Sequence, residues 1–434
     1  MIAYRNIRVA LLGCGSVGSQ VAAQLLERAD ELALRAGAGL ELVGIAVRDL
    51  QAKRDADLPQ ELFTTDAESL IVGADIVVEL LGGLEPARSL VLAAIESGAD
   101  VVTGNKALIA THGPELFEAA QQVGAQLSYE AAVGGAIPIL RPLRESLAGD
   151  RVDRILGIVN GTTNYILDRM TTLGGSFADA LAQATALGYA EADPTADVGG
   201  ADAAQKAAIL ASLAFHTAVP AEAVYREGIT DITEGVINTA RSTGHVVKLL
   251  AICERLTDAD GNEAISARVH PALVPSTHPL AAVHGANNAV FVEAQAAGPL
   301  MFYGAGAGGI QTASAVLGDI IAIARRHVLG GPGLAESTHA ELPVVELGKI
   351  CTRYSLSLEV RDAPGVLASV AAVLATHHVS VERLSQSVSD AGTATLVIGT
   401  HQAPEAALAS TVEALAADPV VAKVNSVIRI EGAA

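Results

Sequence analysis

A run of closely spaced glycines directly after a short apolar stretch most constrains the fold of this chain. Ile7 to Leu12 (IRVALL) has the length and apolar character of a buried parallel strand, and GCGSVG follows it at once. The next residues, VAAQLLERADEL, continue with the apolar spacing of a helix. Glycines permit the tight turn that joins such a strand to such a helix. The segment therefore predicts the first strand–helix unit of an open α/β sheet.

The spacing of these glycines is also that of a dinucleotide-binding turn. Gly13, Gly15 and Gly18 match the pattern G-x-G-x-x-G, which brings a pyrophosphate close to the backbone at the start of the helix. We therefore predict cofactor contacts from Gly13, Gly15, Ser16, Val17 and Gly18.

The end of the second predicted strand, Leu40 to Asp49, bears on the choice of cofactor. Sites selective for NAD usually carry an acid there, whereas an arginine accommodates the 2′-phosphate of NADP. Arg48 occupies this end, and Lys53 and Arg54 follow it. We expect NADP, although Asp49 is close enough to leave the use of NAD open. A solvated Arg48 without a ligand is the alternative.

Later strands of the same region carry polar residues at their ends. ADIVVELLGG is a further apolar strand, and the strand DVVTG is followed directly by Asn105 and Lys106. Because ligands bind at the carboxyl ends of parallel strands, Thr103 and Lys106 are candidate site residues, with a plain surface lysine as the alternative. Strands and helices alternate to about residue 130 and predict a right-handed, doubly wound parallel sheet of the Rossmann type.

A glycine-rich bend, YEAAVGGAIPI, follows this region. It places the carboxylate of Glu130 near the backbone carbonyls of Val133, Gly135 and Ile137. Hard oxygen ligands of this kind suit a weakly bound cation. A tight connection between two domains, without any ligand, is the alternative interpretation.

The segment GYAEADPTADVGGADAAQK concentrates acidic side chains before a single cation. Pro194 and a glycine pair predict a loop, and a helix is predicted from Asp202 onward, so Asp202 and Lys206 share one helical face. A charged pair that opens an apolar helix suits the binding of a small zwitterion. The alternative is a capping acid with a solvent-exposed ion pair. The carboxylates of the segment belong to Glu191, Asp193, Asp197 and Asp202.

Composition excludes several classes of partner. The 434 residues carry a formal charge of −20, which argues against nucleic acid and against an anionic membrane surface. Apolar runs are interrupted well before the ~20 residues of a membrane span. The three cysteines lie far apart, and the N-terminus leads into the first strand without a signal peptide. These features predict a cytoplasmic protein.

The C-terminal part, from about Cys351, has an alternation of its own. Strand-like YSLSLEVRD, VSVERLSQSVS, ATLVIGTH and VVAKVNSVIRIEG surround helical APGVLASVAAVLATHH and APEAALASTVEALAADP in the order βαββαβ. That order predicts a ferredoxin-like sandwich. LGGPGLAESTHAELPVV precedes it and is a linker by composition.

The predicted organisation has four segments. A dinucleotide-binding domain covers 1–130, an α+β domain 131–328, a linker 329–350 and a C-terminal α/β domain 351–434. The segment GAGAGGIQTASAVLGDIIAIARR repeats the pattern of glycines that open a helix. We expect this helix to lead the chain back to the first domain.

Six segments, in this order along the chain, resemble the homoserine dehydrogenase family. They are GCGSVG, VVTGNKALIA, YEAAVGGAIPI, NGTTNYIL, GYAEADPTADVGGADAAQK and GAGAGG. The resemblance covers the whole chain, and the fifth segment is the most specific. It implies an NAD(P)-dependent enzyme that reversibly reduces L-aspartate 4-semialdehyde to L-homoserine, in the biosynthesis of threonine, methionine and isoleucine. The family usually has Asp-Val where this chain has Asp202-Ala203, and Lys206 keeps its place.

The resemblance implies that 131–328 is the catalytic and dimerisation domain, and it implies catalytic and substrate-binding roles. Lys206 would donate the proton to the aldehyde oxygen as the hydride arrives. Lys106 would lie between nicotinamide and substrate and share in proton handling. Asp202, Glu191 and Asp197 would bind the substrate, with Glu191 facing its ammonium group.

Further positions follow from the same resemblance. Gly188 and Gly308 match positions close to the cofactor, while Asp193 is expected to shape the loop ahead of Pro194. The bend described above matches the family's sodium-type cation site, with ligands from Glu130, Val133, Gly135 and Ile137.

The C-terminal segment resembles an ACT domain. Asp362, Pro364 and Gly365 occupy its first strand–helix turn, where that family binds amino acids. The resemblance implies L-threonine as a feedback inhibitor. His378 stands where the family often has Asn, which leaves the ligand open. A domain used only for contacts within a homodimer or homotetramer is the alternative.

Two other functions fit parts of the pattern. A phosphorylating aspartate-semialdehyde dehydrogenase needs a cysteine nucleophile with a histidine base. Cys14 lies inside the phosphate turn, and neither Cys253 nor Cys351 has such a signature around it. A non-catalytic sensor of nucleotide and amino acid would have no use for two lysines placed for proton transfer.

Overall fold

The computed structural model describes residues 5–258, 260–331, 336, 338–388 and 392–432. The strands are β1 (Ile7–Leu12), β2 (Leu40–Ala46), β3 (Phe63–Thr64), β4 (Ile76–Glu79), β5 (Asp100–Thr103), β6 (Leu127–Ser128), β7 (Val152–Ile158), β8 (Tyr225–Arg226), β9 (His245–Thr257), β10 (Glu263–Pro275), β11 (Asn287–Ala294), β12 (Gly298–Ala305), β13 (Cys351–Arg361), β14 (Val381–Val388), β15 (Thr393–Thr400), β16 (Ala403–Pro404) and β17 (Val421–Ile430). The helices are α1 (Ser16–Glu27), α2 (Ala29–Ala36), α3 (Ala67–Ile71), α4 (Ala87–Glu96), α5 (Lys106–Val123), α6 (Gly161–Leu173), α7 (Phe177–Ala186), α8 (Thr195–Val198), α9 (Ala201–Phe215), α10 (Glu234–Ser242), α11 (Gly309–Leu329), α12 (Val366–Thr376) and α13 (Glu405–Ala417).

The chain divides into two compact units. The first comprises Met1–Asp153, Ala208–Ala221 and Asn288–Glu341, and the second comprises Arg154–Ala207, Glu222–Asn287 and Leu342–Ala434. The domain boundaries at 130, 328 and 350 stay a prediction. Residues 332–335 and 337 of the predicted linker lie outside the described residues. No helix in the described part of the chain is long and apolar enough to cross a membrane.

The first unit contains a parallel sheet of six strands in the order β3-β2-β1-β4-β5-β6. The order runs outward in both directions from β1, so the predicted doubly wound sheet is confirmed. β2 ends at Ala46, three residues before the predicted end at Asp49. Arg48 therefore lies in the segment beyond the strand, at the carboxyl edge of the sheet.

Helix α11 completes the core of this first unit. Its apolar face, which includes Val316, Ile320 and Ile323, lies in one buried cluster with Ile7 and Leu11 of β1. Helix α11 therefore packs against the first strand of the parallel sheet. The start of α11 also lies close to the start of α1. A Cβ on Gly309, the first residue of α11, would lie 2.7 Å from Ser16 Oγ, on the first residue of α1. Two helix N-termini therefore lie side by side.

The second unit contains a mixed sheet in the order β7-β9-β10-β17-β13-β15-β14. β13, α12, β14, β15, α13 and β17 form the predicted βαββαβ sandwich, with a core of its own around Leu356, Val370 and Leu408. Its last strand also pairs in parallel with β10, where Ala272 lies opposite Arg429. The sandwich therefore continues the preceding sheet, a feature that the order of elements did not predict.

Candidate active site

Strand β7 and helix α9 position the predicted lysine–aspartate pair. Val159, the residue after β7, accepts a hydrogen bond through its carbonyl from Lys206 Nζ at 2.7 Å. Lys206 Nζ also donates to Asp202 Oδ2 at 2.7 Å, one turn earlier on α9. The side chains of Lys206 and Asp202 are only 12% and 10% exposed. This pair is therefore not a solvent-exposed ion pair.

Asn160, the residue before α6, connects this pair to the acidic loop. Its Oδ1 accepts a hydrogen bond from Thr163 N at 2.9 Å and caps the helix. Its Nδ2 donates to Asp202 Oδ2 at 2.9 Å and to Asp197 Oδ1 at 2.7 Å. A neutral amide thus holds two carboxylates that would otherwise repel each other. Nothing in the sequence indicated that Asn160 bridges these two acids.

The other two acids of the loop differ in their surroundings. Glu191 is exposed, and its carboxylate has no hydrogen bond among the residues that the structure describes. Asp193 Oδ1 accepts hydrogen bonds from Thr195 Oγ1 at 2.6 Å and Thr195 N at 3.1 Å. The bond from the Thr195 hydroxyl lowers the pKa of Asp193. Asp193 therefore shapes the loop as predicted, but the expectation of a plain loop was wrong, because these bonds start the one-turn helix α8.

The glycine turn of the first unit has the expected geometry. Gly13 adopts a φ of +98°, and a Cβ there would lie 2.6 Å from the carbonyl oxygen of Leu80. A Cβ on Gly18 would collide with the carbonyl of Gly13. Beside Gly15 the space is open, with no atom within 4 Å of a Cβ position. The turn thus packs tightly on the protein side and leaves room on the side where a pyrophosphate would bind.

A buried acid, Glu79, joins the ends of β4 and β5 and was missed in the sequence. It is 0% exposed, and its Oε2 accepts a hydrogen bond from Thr103 Oγ1 at 2.5 Å. Its Oε1 accepts from Leu81 N at 2.8 Å, in the turn after β4. The hydroxyl of Thr103 is therefore directed at the protein. The only signal for Glu79 was an acid at the end of an apolar strand.

Asn105 positions the start of α5 and with it Lys106. Its Nδ2 donates to the carbonyl of Gly83 at 2.6 Å, and its Oδ1 accepts from Leu108 N at 3.1 Å. Lys106 follows as the first residue of α5 and is half-buried. Lys106 belongs to the first unit, whereas Lys206, Asp202 and Asp197 are together in the second.

The two remaining glycines of the predicted cofactor set lie at helix ends. Gly188 follows α7 in the second unit with a φ of +77°. Gly308 precedes α11 in the first unit with a φ of +130°. Both conformations favour glycine over other residues.

Arg48 is exposed at the edge of the first sheet. Neighbouring charged groups are already engaged by the protein: Asp49 Oδ1 accepts a hydrogen bond from Gln51 N at 2.8 Å, and the Arg54 guanidinium lies 4.9 Å from the centre of the Phe63 ring. No ion pair or hydrogen bond of Arg48 is present in the described ranges. The arrangement leaves the Arg48 guanidinium available to an anion.

In the bend after β6, the carboxylate of Glu130 binds the protein backbone, whereas the sequence predicted that it would bind a cation. This side chain is 5% exposed, and its carboxylate accepts hydrogen bonds from the backbone N–H groups of Ile139, Leu140 and Arg141 at 2.6, 2.8 and 2.7 Å. The expected carboxylate ligand is thus occupied by the protein, which leaves only the carbonyl of Glu130 for a cation.

The carbonyls of the same bend do fit a cation. Those of Val133, Gly135 and Ile137 belong to buried residues and accept no hydrogen bond among the described residues. Buried carbonyls are almost always paired, so these three favour a bound ligand. No cluster of three His, Cys, Asp or Glu side chains suited to a metal occurs in the described residues.

The predicted effector turn lies at the surface of the C-terminal sandwich. Asp362, Pro364 and Gly365 are exposed, and Gly365 directly precedes α12 with a φ of +89°. His378 has a φ of +58°, in the left-handed region where Asn is better tolerated than most residues.

Comparisons with known proteins agree with this architecture. The model of the homoserine dehydrogenase NAD binding domain matches residues 13–130, that of homoserine dehydrogenase 138–321, and that of the ACT domain 354–419. The homoserine dehydrogenase of Corynebacterium glutamicum is 54% identical over 98% of this chain and 96% of its own length. That of Mycobacterium tuberculosis is 55% identical over 99% of this chain and 98% of its own. The crystal structure of a homoserine dehydrogenase from Thiobacillus denitrificans is 39% identical, covers 99% of both chains and superposes with a TM-score of 0.91. These matches cover nearly the whole chain and agree with its glycine turn, its Lys206–Asp202 pair and its C-terminal sandwich. The chain therefore belongs to the homoserine dehydrogenase family.

Proposed function

We propose that this protein reversibly reduces L-aspartate 4-semialdehyde to L-homoserine, in the biosynthesis of threonine, methionine and isoleucine. The observation that carries the proposal is the Lys206 ammonium, 2.7 Å from both Asp202 Oδ2 and the Val159 carbonyl. The bound nicotinamide supplies the hydride. Lys206 stabilises the negative charge that develops on the aldehyde oxygen and gives that oxygen its proton. In the reverse direction a neutral Lys206 accepts the proton of the homoserine hydroxyl.

The substrate-binding set is Glu191, Asp197 and Asp202. Two of these acids are held in place by Asn160, which supports a fixed arrangement around the substrate. Glu191 is exposed and has no hydrogen bond among the described residues, which supports its proposed contact with the substrate ammonium group. Lys106 shares in proton handling between nicotinamide and substrate.

The proposed cofactor is NADP, with NAD as a second substrate of the same site. The exposed Arg48 guanidinium supports binding of the 2′-phosphate. A hyperthermophilic archaeal homoserine dehydrogenase, 28% identical over 76% of this chain with a TM-score of 0.61, was solved in complex with NADPH. The proposed cofactor contacts are Gly13, Gly15, Ser16, Val17, Gly18, Arg48, Thr103, Lys106, Gly188 and Gly308.

A monovalent cation, sodium, is proposed at the bend after β6. Its ligands are the backbone carbonyls of Glu130, Val133, Gly135 and Ile137. Three of these oxygens accept no hydrogen bond among the described residues, which supports the site. The Glu130 carboxylate, bound to three N–H groups, fixes the shape of the bend and does not contact the ion.

L-threonine is the proposed feedback inhibitor, bound at the exposed turn of Asp362, Pro364 and Gly365. The chain is proposed to assemble as a homodimer or homotetramer. Strand β14 supports assembly, since all eight of its residues are exposed and it lies at the edge of its sheet. We place the enzyme in the cytoplasm, which the three free cysteines support.

One assay tests the proposed reaction. NADPH oxidation is followed after addition of L-aspartate 4-semialdehyde, with and without L-threonine. We expect turnover that needs no phosphate and that threonine lowers. Cofactor binding without turnover would instead support a non-catalytic sensor, and turnover of NADP⁺ that requires phosphate would support the phosphorylating semialdehyde dehydrogenase.

A further inference from the structure

Asn288, in β11, is a buried amide without a partner. The residue is 1% exposed, and neither Oδ1 nor Nδ2 makes a hydrogen bond among the described residues. Buried polar side-chain atoms are nearly always satisfied by the protein, by an ordered water or by an ion. An isolated amide here would be costly, so its surroundings indicate a polar species bound next to it.

The amide lies beside the bend that carries the unpaired carbonyls. A Cβ on Gly306 would collide with the amide atoms of Asn288, so the amide rests directly on this glycine. A Cβ on Gly135 would in turn collide with the carbonyl of Gly306. The adjoining backbone is fixed by a hydrogen bond from Ala136 N to the carbonyl of Ala305 at 3.1 Å. Gly306 therefore lies between the amide of Asn288 and the bend at Gly135.

The unpaired oxygens beside Gly306 indicate what kind of ligand binds there. The carbonyls of Val133, Gly135 and Ile137 and the Oδ1 of Asn288 are four acceptor oxygens, and none of them accepts a hydrogen bond among the described residues. A water molecule has two hydrogens to donate and cannot satisfy four acceptors. A cation can, because it attracts every oxygen around it. The amide atoms of Asn288 are also out of contact with solvent, which favours an occupant smaller than water, such as a dehydrated Na⁺.

We propose that Asn288 Oδ1 is a side-chain ligand of the sodium site, in addition to the backbone carbonyls. The inference rests on the proposed cation site and extends it from the bend to strand β11. It also assigns a role to Gly306, because any larger residue there would displace the amide from the site.

The test measures sodium binding without catalysis. The thermal midpoint of the full-length protein is recorded over a range of NaCl concentrations, with choline chloride keeping the ionic strength constant and with no cofactor or substrate. The variants are Asn288→Leu, Asn288→Asp and, as a matched control, Asn238→Leu, which changes an exposed asparagine on α10. Linkage converts the midpoint shift into a dissociation constant for sodium.

The expected results differ among the variants. Sodium raises the midpoint of the wild type and of Asn238→Leu equally. In Asn288→Leu the sodium affinity falls about tenfold or more, as for a lost bond to a charged partner. In choline chloride this variant is at least as stable as the wild type, because an unpaired buried amide is gone. Asn288→Asp binds sodium more tightly, since its ligand is charged.

Each other outcome has a definite meaning. A wild type without a sodium-specific shift would overturn the cation site and this inference with it. A wild-type shift that Asn288→Leu retains in full would overturn the role of Asn288 alone. If Asn288→Leu does not fold in either salt, the sodium affinity of Asn288→Asp is measured instead from the width of the ²³Na resonance during a titration with sodium. An affinity equal to that of the wild type would overturn the inference.

Discussion

At the scale of single residues, one carboxylate and one backbone carbonyl set the direction of the Lys206 ammonium. Both acceptors are 2.7 Å from Nζ, and an ammonium has three N–H donors. One donor therefore has no acceptor among the described residues, which supports its proposed contact with the aldehyde oxygen. The neutral amide of Asn160 keeps Asp202 in place beneath it.

Replacement of Lys206 tests the proton transfer. In Lys206→Ala we expect kcat to fall by ~10²-fold or more in both directions, because the aldehyde oxygen loses its proton donor. Steady-state kinetics with Lys423→Ala as control check this, since Lys423 is exposed on β17. A loss below threefold would remove Lys206 from the mechanism.

Asn160 offers a second test at this scale. Asn160→Asp keeps the acceptor that caps α6 but places a third carboxylate beside Asp197 and Asp202. We expect kcat/KM for the semialdehyde to fall by about 10–100-fold, since the hydrogen bonds that the neutral amide donates to two carboxylates are replaced by repulsion. The midpoint of thermal unfolding should change much less, and the exposed Asn238→Asp serves as the control. Unchanged kinetics would show that the bridge does not position the site.

Replacement of Arg48 tests the proposed preference for NADP over NAD. In Arg48→Ala, the KM for NADPH should rise by about 10–100-fold, because a charged contact to the 2′-phosphate is lost. The KM for NADH should stay within a factor of about two. Parallel kinetics with the two cofactors measure the ratio. An equal change for both would show that Arg48 does not distinguish them.

At the scale of elements, one face of helix α6 is polar over its first two turns. Asn160, Asn164 and Asp168 follow each other at intervals of four residues. Asn164 Nδ2 donates to the carbonyl of Gly285 at 2.9 Å, and Asp168 Oδ2 accepts from Gly285 N at 2.8 Å. The face that begins at Asn160 therefore also holds the segment that leads into β11.

Strand β9 contributes a buried lysine to this face. Lys248 is 2% exposed, and its Nζ donates to the carbonyl of Val283 at 2.6 Å and to Asn164 Oδ1 at 3.0 Å. No ion pair of Lys248 occurs in the described part of the chain. Burial lowers the pKa of Lys248 to about 8.

The pH dependence of stability should reveal this lysine. Below pH 8 the folded and unfolded states both carry its proton, so the cost of the buried charge is fully present. Between about pH 8 and the ordinary lysine value of ~10.4, only the unfolded state keeps the proton, and stability rises with pH. In Lys248→Met this rise is absent. The difference in unfolding free energy between wild type and variant should therefore change by roughly 2–3 kcal/mol from pH 7.5 to 10.

Urea unfolding at several pH values measures this difference, because other titrating groups contribute equally to both proteins. Parallel curves for the wild type and Lys248→Met would show that Lys248 keeps its proton throughout.

At the scale of the whole molecule, the C-terminal sandwich continues the sheet of the second unit. Glu431, directly after β17, donates its N–H to the carbonyl of Leu273 on β10 at 3.0 Å. Its carboxylate accepts hydrogen bonds from Arg154 on β7 and from Arg268 on β10, the latter at 3.2 Å. Arg268 is 1% exposed and Glu431 is 5% exposed, so the ion pair between these two residues is buried.

Removal of this charge should weaken the second unit as a whole. Glu431→Gln keeps the shape of the side chain but leaves two arginines with less negative charge to balance them. We expect a loss of about 3 kcal/mol or more in the free energy of unfolding, measured with urea. Glu382→Gln is the control, because Glu382 is 44% exposed and pairs with Arg353 at 3.5 Å. Such exposed pairs contribute about 1 kcal/mol or less. Equal losses in the two variants would contradict the prediction.

Much of the fold and part of the site followed from local sequence. The glycine turn at Gly13 to Gly18, the βαββαβ order and the Asp202–Lys206 spacing were all predicted, because each depends on neighbours within one or two turns of chain. The same reasoning failed at α8, where the bonds to Asp193 start a helix in a predicted loop.

The tertiary structure alone decided which distant groups pair. Asn160 lies 37 and 42 residues from the two acids that it joins, and Glu79 lies 24 residues from Thr103. Glu130 was predicted as a carboxylate ligand, but the chain folds its own N–H groups onto that carboxylate. By itself the sequence determined where turns, strands and charged helix faces occur, since these depend on short-range sterics and periodicity. Which carboxylate faces a ligand and which one is bound by the protein depends on packing between segments far apart in the chain.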